Sequence, residues 1–91
     1  MGQGYLTPKP GIITGGSSLT LEAGWTNLIV MNGNNSSGNV LIEYFDNLSV
    51  SQGVFTLLPG KDLIYSSQNL QYCKTVITCE ALTTAYYQYL T

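Results

Sequence analysis

Side chains able to do chemistry are few in this 91-residue chain, and they are scattered. Glu22, Glu43, Asp46, Asp62 and Glu80 supply the acids, Lys9, Lys61 and Lys74 the bases, and the chain has neither histidine nor arginine. General acid-base work at neutral pH usually falls to histidine, or to a carboxylate or lysine retuned by burial and neighbours. No spacing here pairs two carboxylates, and for the many serines and threonines only the three lysines could serve as the base that takes a proton. The residue set therefore points away from an enzyme, and no catalytic residue, cofactor site or metal site is expected. Cys73 and Cys79 are the two cysteines. Without histidine they cannot complete a zinc site in one chain. On one continuous strand their Cα atoms would lie roughly 20 Å apart, too far for a disulfide, so two thiols packing as small apolar residues are expected. Asn32 to Asn39 is polar and glycine-bearing, but the Lys-Ser/Thr pair and the helix that a phosphate cradle needs do not follow it.

The aromatic set is richer. Seven tyrosines, at 5, 44, 65, 72, 86, 87 and 89, accompany Trp25, Phe45 and Phe55. Rings with a polar tip suit protein interfaces, and they also stack on sugars. Because side chains alternate along a strand, Tyr86, Tyr87 and Tyr89 cannot all point inwards. Trp25, Phe45, Tyr86, Tyr87 and Tyr89 are thus interface candidates.

The elements that must hold these residues read as strands. Asn39 to Tyr65 carries β-branched and aromatic runs closed by turn pairs, Asp46-Asn47 and Pro59-Gly60, and predicts a meander. Pro59-Gly60 suits the centre of a type II turn. Val40, Ile42 and Tyr44 share one face, and Leu41, Glu43 and Phe45 the other. Ser18 to Glu22 alternates polar and apolar, as a half-buried strand does. Trp25 to Met31 is nearly continuously apolar, which predicts a central or interface strand covered on both faces. Asn32 to Asn39 then reads as an exposed hairpin loop. Leu70 to Cys79 and Ala85 to Leu90 complete seven or eight short strands, and no stretch keeps a helical period. The pattern predicts an all-β chain, a small antiparallel β-sandwich or barrel over residues 18 to 91.

Residues 1 to 17 hold five of the ten glycines and two of the three prolines. Such a segment buries too little to repay its own ordering, so either an extended N-terminal arm, anchored on a neighbour by Leu6, Ile12 and Ile13, or a disordered tail is expected. Fully extended, seventeen residues reach roughly 50 Å.

Charge and length narrow the partners. A net charge of -2 with 9% charged residues lacks the basic footprint that nucleic acid requires. The apolar runs fall far short of the roughly 20 residues that span a bilayer. Met1 to Tyr5 lacks the basic start and apolar core of a secretion signal, which predicts a cytoplasmic origin. Leu6 stands where an N-acylation pattern needs Ser or Thr. A chain this short has room for one core, so strands apolar on both faces predict association.

A hydrophobic strand ending in Asn (Leu28 to Asn32) is followed by a glycine-bearing loop and Asn39-Val40-Leu41-Ile42. After these come Gly53-Val54-Phe55-Thr56-Leu57-Leu58-Pro59-Gly60, Leu70-Gln71-Tyr72 and a closing strand. In this order of features the chain resembles small tailed-phage virion proteins, β-sandwiches used as capsid decoration (cement) or head-associated structural proteins. The resemblance spans roughly residues 26 to 90 and implies a jelly-roll-like sandwich and a homotrimer. It also implies the major capsid protein as partner and a place on the virion head surface after assembly in the host cytoplasm. A function of another class fits the same aromatics and Asn-rich loop: a carbohydrate-binding or adhesin module. A tail- or fibre-associated structural role is a further alternative.

Overall fold

The structure is a computed structural model that describes residues 6–66 and 73–91. Eight strands make up the fold: β1 (Pro8–Thr14), β2 (Ser18–Leu21), β3 (Thr26–Asn32), β4 (Val40–Phe45), β5 (Ser51–Leu57), β6 (Asp62–Tyr65), β7 (Thr75–Cys79) and β8 (Thr84–Leu90). They form two antiparallel four-stranded sheets, sheet A in the order β1-β8-β3-β6 and sheet B in the order β2-β7-β4-β5. The molecule is thus an all-β sandwich, as the period-two patterning predicts.

The expected meander does not form. Only β4 and β5 are both consecutive and paired. Instead β1 pairs with β8, β2 with β7, β3 with β6 and β4 with β5. The chain is a long hairpin closed at β4–β5, whose first half runs back along its second half, rolled so that all other successive strands alternate between sheets. Residues 33–39 are accordingly a crossover from sheet A to sheet B rather than a hairpin loop. Pattern reading finds strands but cannot tell a hairpin turn from a crossover of similar length.

Residues 8–14 are not a free arm either. They form β1, an edge strand of sheet A paired with β8 along its whole length. Thr7 and Thr91 exchange both backbone hydrogen bonds, at 2.7 and 3.2 Å. By antiparallel alternation the odd residues of β1 face β8, while Pro8 and Pro10 turn their backbone to the free edge, where a missing N–H costs nothing. Gly11 lies opposite Tyr87. A Cβ on Gly11 would lie 2.7 Å from Tyr87 Cε1 and closer still to Cζ and the hydroxyl, so the Tyr87 ring fills the space that glycine leaves empty. The segment that could not bury itself is buried by β8.

The core lies between the sheets. Leu28, Val30 and Ala85 from sheet A meet Val40, Ile42 and Ile77 from sheet B, all fully buried. Tyr44 and Tyr65 join the sheets in an edge-to-face pair 5.0 Å apart. The predicted turns also form. Gly60 has φ 79° and Lys61 N–H donates to Leu58 O at 3.1 Å, closing Pro59-Gly60. Asp46 Oδ1 accepts from the N–H groups of Leu48 and Val50 at 2.8 and 3.0 Å and holds the β4–β5 hairpin. Val40, Ile42 and Tyr44 share one face as expected, and that face turns to the core, with Leu41, Glu43 and Phe45 outside. The predicted strand start at Leu70-Gln71-Tyr72 lies outside the described residues.

Candidate functional site: the outer face of sheet A and the cleft at its end

Pairing in sheet A lines up two rows of side chains on its outer face. Ile12, Tyr86, Met31 and Asp62 form one row, and Pro10, Gln88, Ile29 and Ile64 the next. The apolar members are open to solvent: Ile12 is 62% exposed, Ile64 63%, Met31 49% and Tyr86 46%. A sandwich needs one apolar face per sheet, because the other meets water. Here the outer face is apolar too, interrupted by Gln88 and Asp62.

The eight interface candidates divide sharply. Ile12 and Tyr86 lie on this face. Leu6 is exposed just ahead of β1. Ile13 and Trp25 do not serve as expected, since both belong to the core at 6% and 1% exposure. Alternation turns Ile13 inward beside exposed Ile12, and Trp25 is fixed by its indole N–H, which donates to Cys73 O at 3.0 Å. Phe45 is half-buried, with Lys74 Nζ 4.4 Å above its ring. Tyr87 and Tyr89 point inward and stack at 6.2 Å. One of the three clustered tyrosines, Tyr86, therefore faces outward, as alternation requires. Ile29, Met31 and Ile64 were missed as candidates. The unbroken apolar run through Met31 carried the signal for the first two, but four-residue β6 is too short to show a pattern.

At one end of the face lies a cleft of about 460 Å³, lined by Met31, residues 32–36, Gly60, Leu82, Thr84 and Tyr86. The loop of residues 33–39, of which 33–36 line the cleft, is tied down at the backbone. Gly33 N–H donates to Thr84 O (2.8 Å), Ser37 N–H to Leu82 O (2.9 Å), Gly38 N–H to Thr83 Oγ1 (2.9 Å) and Asn39 N–H to Glu80 Oε1 (2.7 Å). Asn32 is 2% exposed and anchors the corner, its Nδ2 donating to Leu57 O at 2.9 Å and Gly38 O at 3.1 Å. Its Oδ1 is buried without a hydrogen-bond partner among the described residues. No charged side chain lines this cleft.

No cluster of three or more His, Cys, Asp or Glu residues exists among the described residues. Both cysteines are free thiols. No helix among these residues is long and apolar enough to cross a membrane. Comparison with known protein families, curated proteins and solved structures found no match.

Proposed function

We propose that this protein is a non-enzymatic virion structural protein, a capsid decoration (cement) module that docks by the outer face of sheet A. The observation that carries the reading is the apolar outer face itself. Each Ile, Met or Tyr side chain that a partner covers there contributes on the order of 1 kcal/mol. With Asp62 the sole charged residue in its two rows, docking depends weakly on salt. The mirror pairing of strands supports reading the sandwich as a jelly roll, an architecture that serves both viral capsid and lectin domains. Fold alone does not choose between such uses; the bare face and the resemblance to phage head proteins favour the capsid. The homotrimer, the major capsid protein as partner and the place on the head surface rest on that resemblance. With β1 committed to the sheet, attachment runs through the sheet face, not a long reach by residues 8–14.

The experiment is reconstitution on particles. Ile29→Thr with Ile64→Thr should lower occupancy on purified heads at least tenfold and shift the free protein towards monomer in light scattering. Unchanged occupancy would remove the face as the attachment site, and absence of the protein from purified particles by mass spectrometry would remove the virion role.

A further inference from the structure

The cleft at the end of the sheet A face shares Met31 and Tyr86 with the docking rows, and its Asn-rich loop adds a chemistry that docking on a shell does not use. Its lining combines three features. Tyr86 presents a ring at the rim, 46% exposed, packed so near Gly33 that a Cβ there would lie 3.5 Å from Tyr86 Cε2. Asn34 and Asn35 are exposed on the facing loop, and their side-chain amides make no hydrogen bond among the described residues. The lining carries no charge.

Each feature narrows the ligand. An amide side chain both donates and accepts, which matches a hydroxyl that does the same, and two adjacent amides match neighbouring hydroxyls. An exposed ring edged by Met31 and Leu82 offers an apolar surface for C–H groups. Lack of charge disfavours phosphate, sulfate or carboxylate ligands, which call for cationic partners. The volume lies within the range of small-molecule sites. Rigidity adds to this, since the loop backbone is held by β8 and the β7–β8 turn while its amides stay available, so little ordering is lost on binding. Ser36 already serves the fold: its Oγ accepts from Thr84 N–H at 3.0 Å and lies 3.3 Å from Thr84 O. That leaves the recognition to Asn34, Asn35 and Tyr86.

We propose that this cleft is a binding site for a neutral saccharide, with Tyr86 as the stacking ring and Asn34 and Asn35 as the hydroxyl-binding amides. With one ring and two amides the site holds a single sugar weakly, and a repeating polysaccharide gains wherever several copies engage it together. It stands independently of the capsid reading.

The test is a heteronuclear NMR titration of the full chain with methyl glycosides of glucose, galactose and mannose, with N-acetylglucosamine, and with cellobiose and lactose. At least one probe should shift amides of residues 32–36 and 84–86 selectively. Glucose 6-phosphate should bind no better than the neutral sugars. Tyr86→Ala should weaken binding about tenfold, Tyr86→Phe should retain it, and Asn34→Ala with Asn35→Ala should abolish it while the rest of the spectrum stays unchanged. Ile29→Thr with Ile64→Thr, which tests docking, should leave the sugar response intact. If no probe shifts these amides at tens of millimolar, or the Asn34/Asn35 variant responds like the parent, the proposal fails whatever the capsid experiment shows. A response to polysaccharide fragments but not to monosaccharides would place the ligand on a polymer surface.

Discussion

The two outer faces of this sandwich are built on the same plan and filled differently. On sheet A the central rows run Ile12-Tyr86-Met31-Asp62 and Pro10-Gln88-Ile29-Ile64. On sheet B they run Ser18-Thr78-Leu41-Thr56 and Thr20-Val76-Glu43-Val54. Sheet B follows the rule for a solvated face, with threonine and serine setting apart the aliphatic residues. Its charged side chains are engaged: Glu43 Oε2 accepts from Ser51 Oγ at 2.7 Å, and Lys74 covers Phe45. Sheet A breaks the rule. Both faces share one core, so the difference is not about holding the monomer together. The difference is what supports the proposal that sheet A is the docking side.

The largest expected effect separates inner from outer positions. Ile42 is fully buried between the sheets, and Ile42→Ala should cost about 2–5 kcal/mol through lost transfer energy and the cavity left behind. Ile64→Ala, at a side chain 63% exposed, should stay within about 0.5 kcal/mol of the parent in monomer stability. Urea unfolding at low protein concentration measures both. A cost for Ile64→Ala near that of Ile42→Ala would mean that the outer face is already covered within the chain, and the contrast between faces would collapse.

A middle-sized effect comes from β1. Gly11→Ala drives a methyl group into the Tyr87 ring and should cost about 1–3 kcal/mol by overpacking. Displacing that ring loosens β1 from β8 and so splits the Ile12-Tyr86 half of the outer row. Gly11→Ala combined with Tyr87→Leu should recover part of the loss, because the shorter side chain vacates the contested space. A double variant no better than Gly11→Ala alone would show that glycine is needed there for its backbone and not for the ring.

This strand also shows where sequence reasoning reaches its limit. The strands are legible because β-branched and aromatic runs such as Val40 to Phe45 are closed by turn pairs, and the Pro59-Gly60 turn because its type demands those residues. The inward face of β4 is not, since Leu41 and Phe45 make its other face apolar too. Residues 1 to 17 read as an arm because the segment carries too few apolar side chains to repay its own ordering, and β1 lies within them. The place of β1 depends on a partner strand 70 and more residues away, which supplies Tyr87 for Gly11 and leaves Pro8 and Pro10 on the open side. The cleft was half legible. Tyr86 and the Asn-rich loop each stood out, but their meeting depends on the roll of the chain, which brings the crossovers after β3, β5 and β7 to one end. Trp25 misled for a simpler reason: an indole suits a core as well as an interface, and its hydrogen bond to Cys73 O cannot be read from composition.

The smallest expected effect tests whether β1 stays docked, on which the Ile12-Tyr86 row of sheet A depends. Cys79 ends β7 with its Sγ 3.2 Å from Thr83 O and 3.5 Å from Ile13 O, so β1 closes over it. Burial pushes its thiol above the ordinary value of 9.0, opposed in part by a hydrogen bond from the Ala85 backbone. The sign follows from proton counting. Above pH 9.0 the unfolded thiol loses its proton while the folded one keeps it, so the native state binds more protons and stability falls as pH rises. The slope from one such group is at most about 1.4 kcal/mol per pH unit. Unfolding measured on either side of pH 9.0 should show it, and Cys79→Ala should remove it. In the native protein, iodoacetamide should modify half-buried Cys73 well before Cys79, and both should react once unfolded. Equal native rates, or a pH slope unchanged in Cys79→Ala, would show that β1 opens readily and that the apolar row on sheet A exists only part of the time.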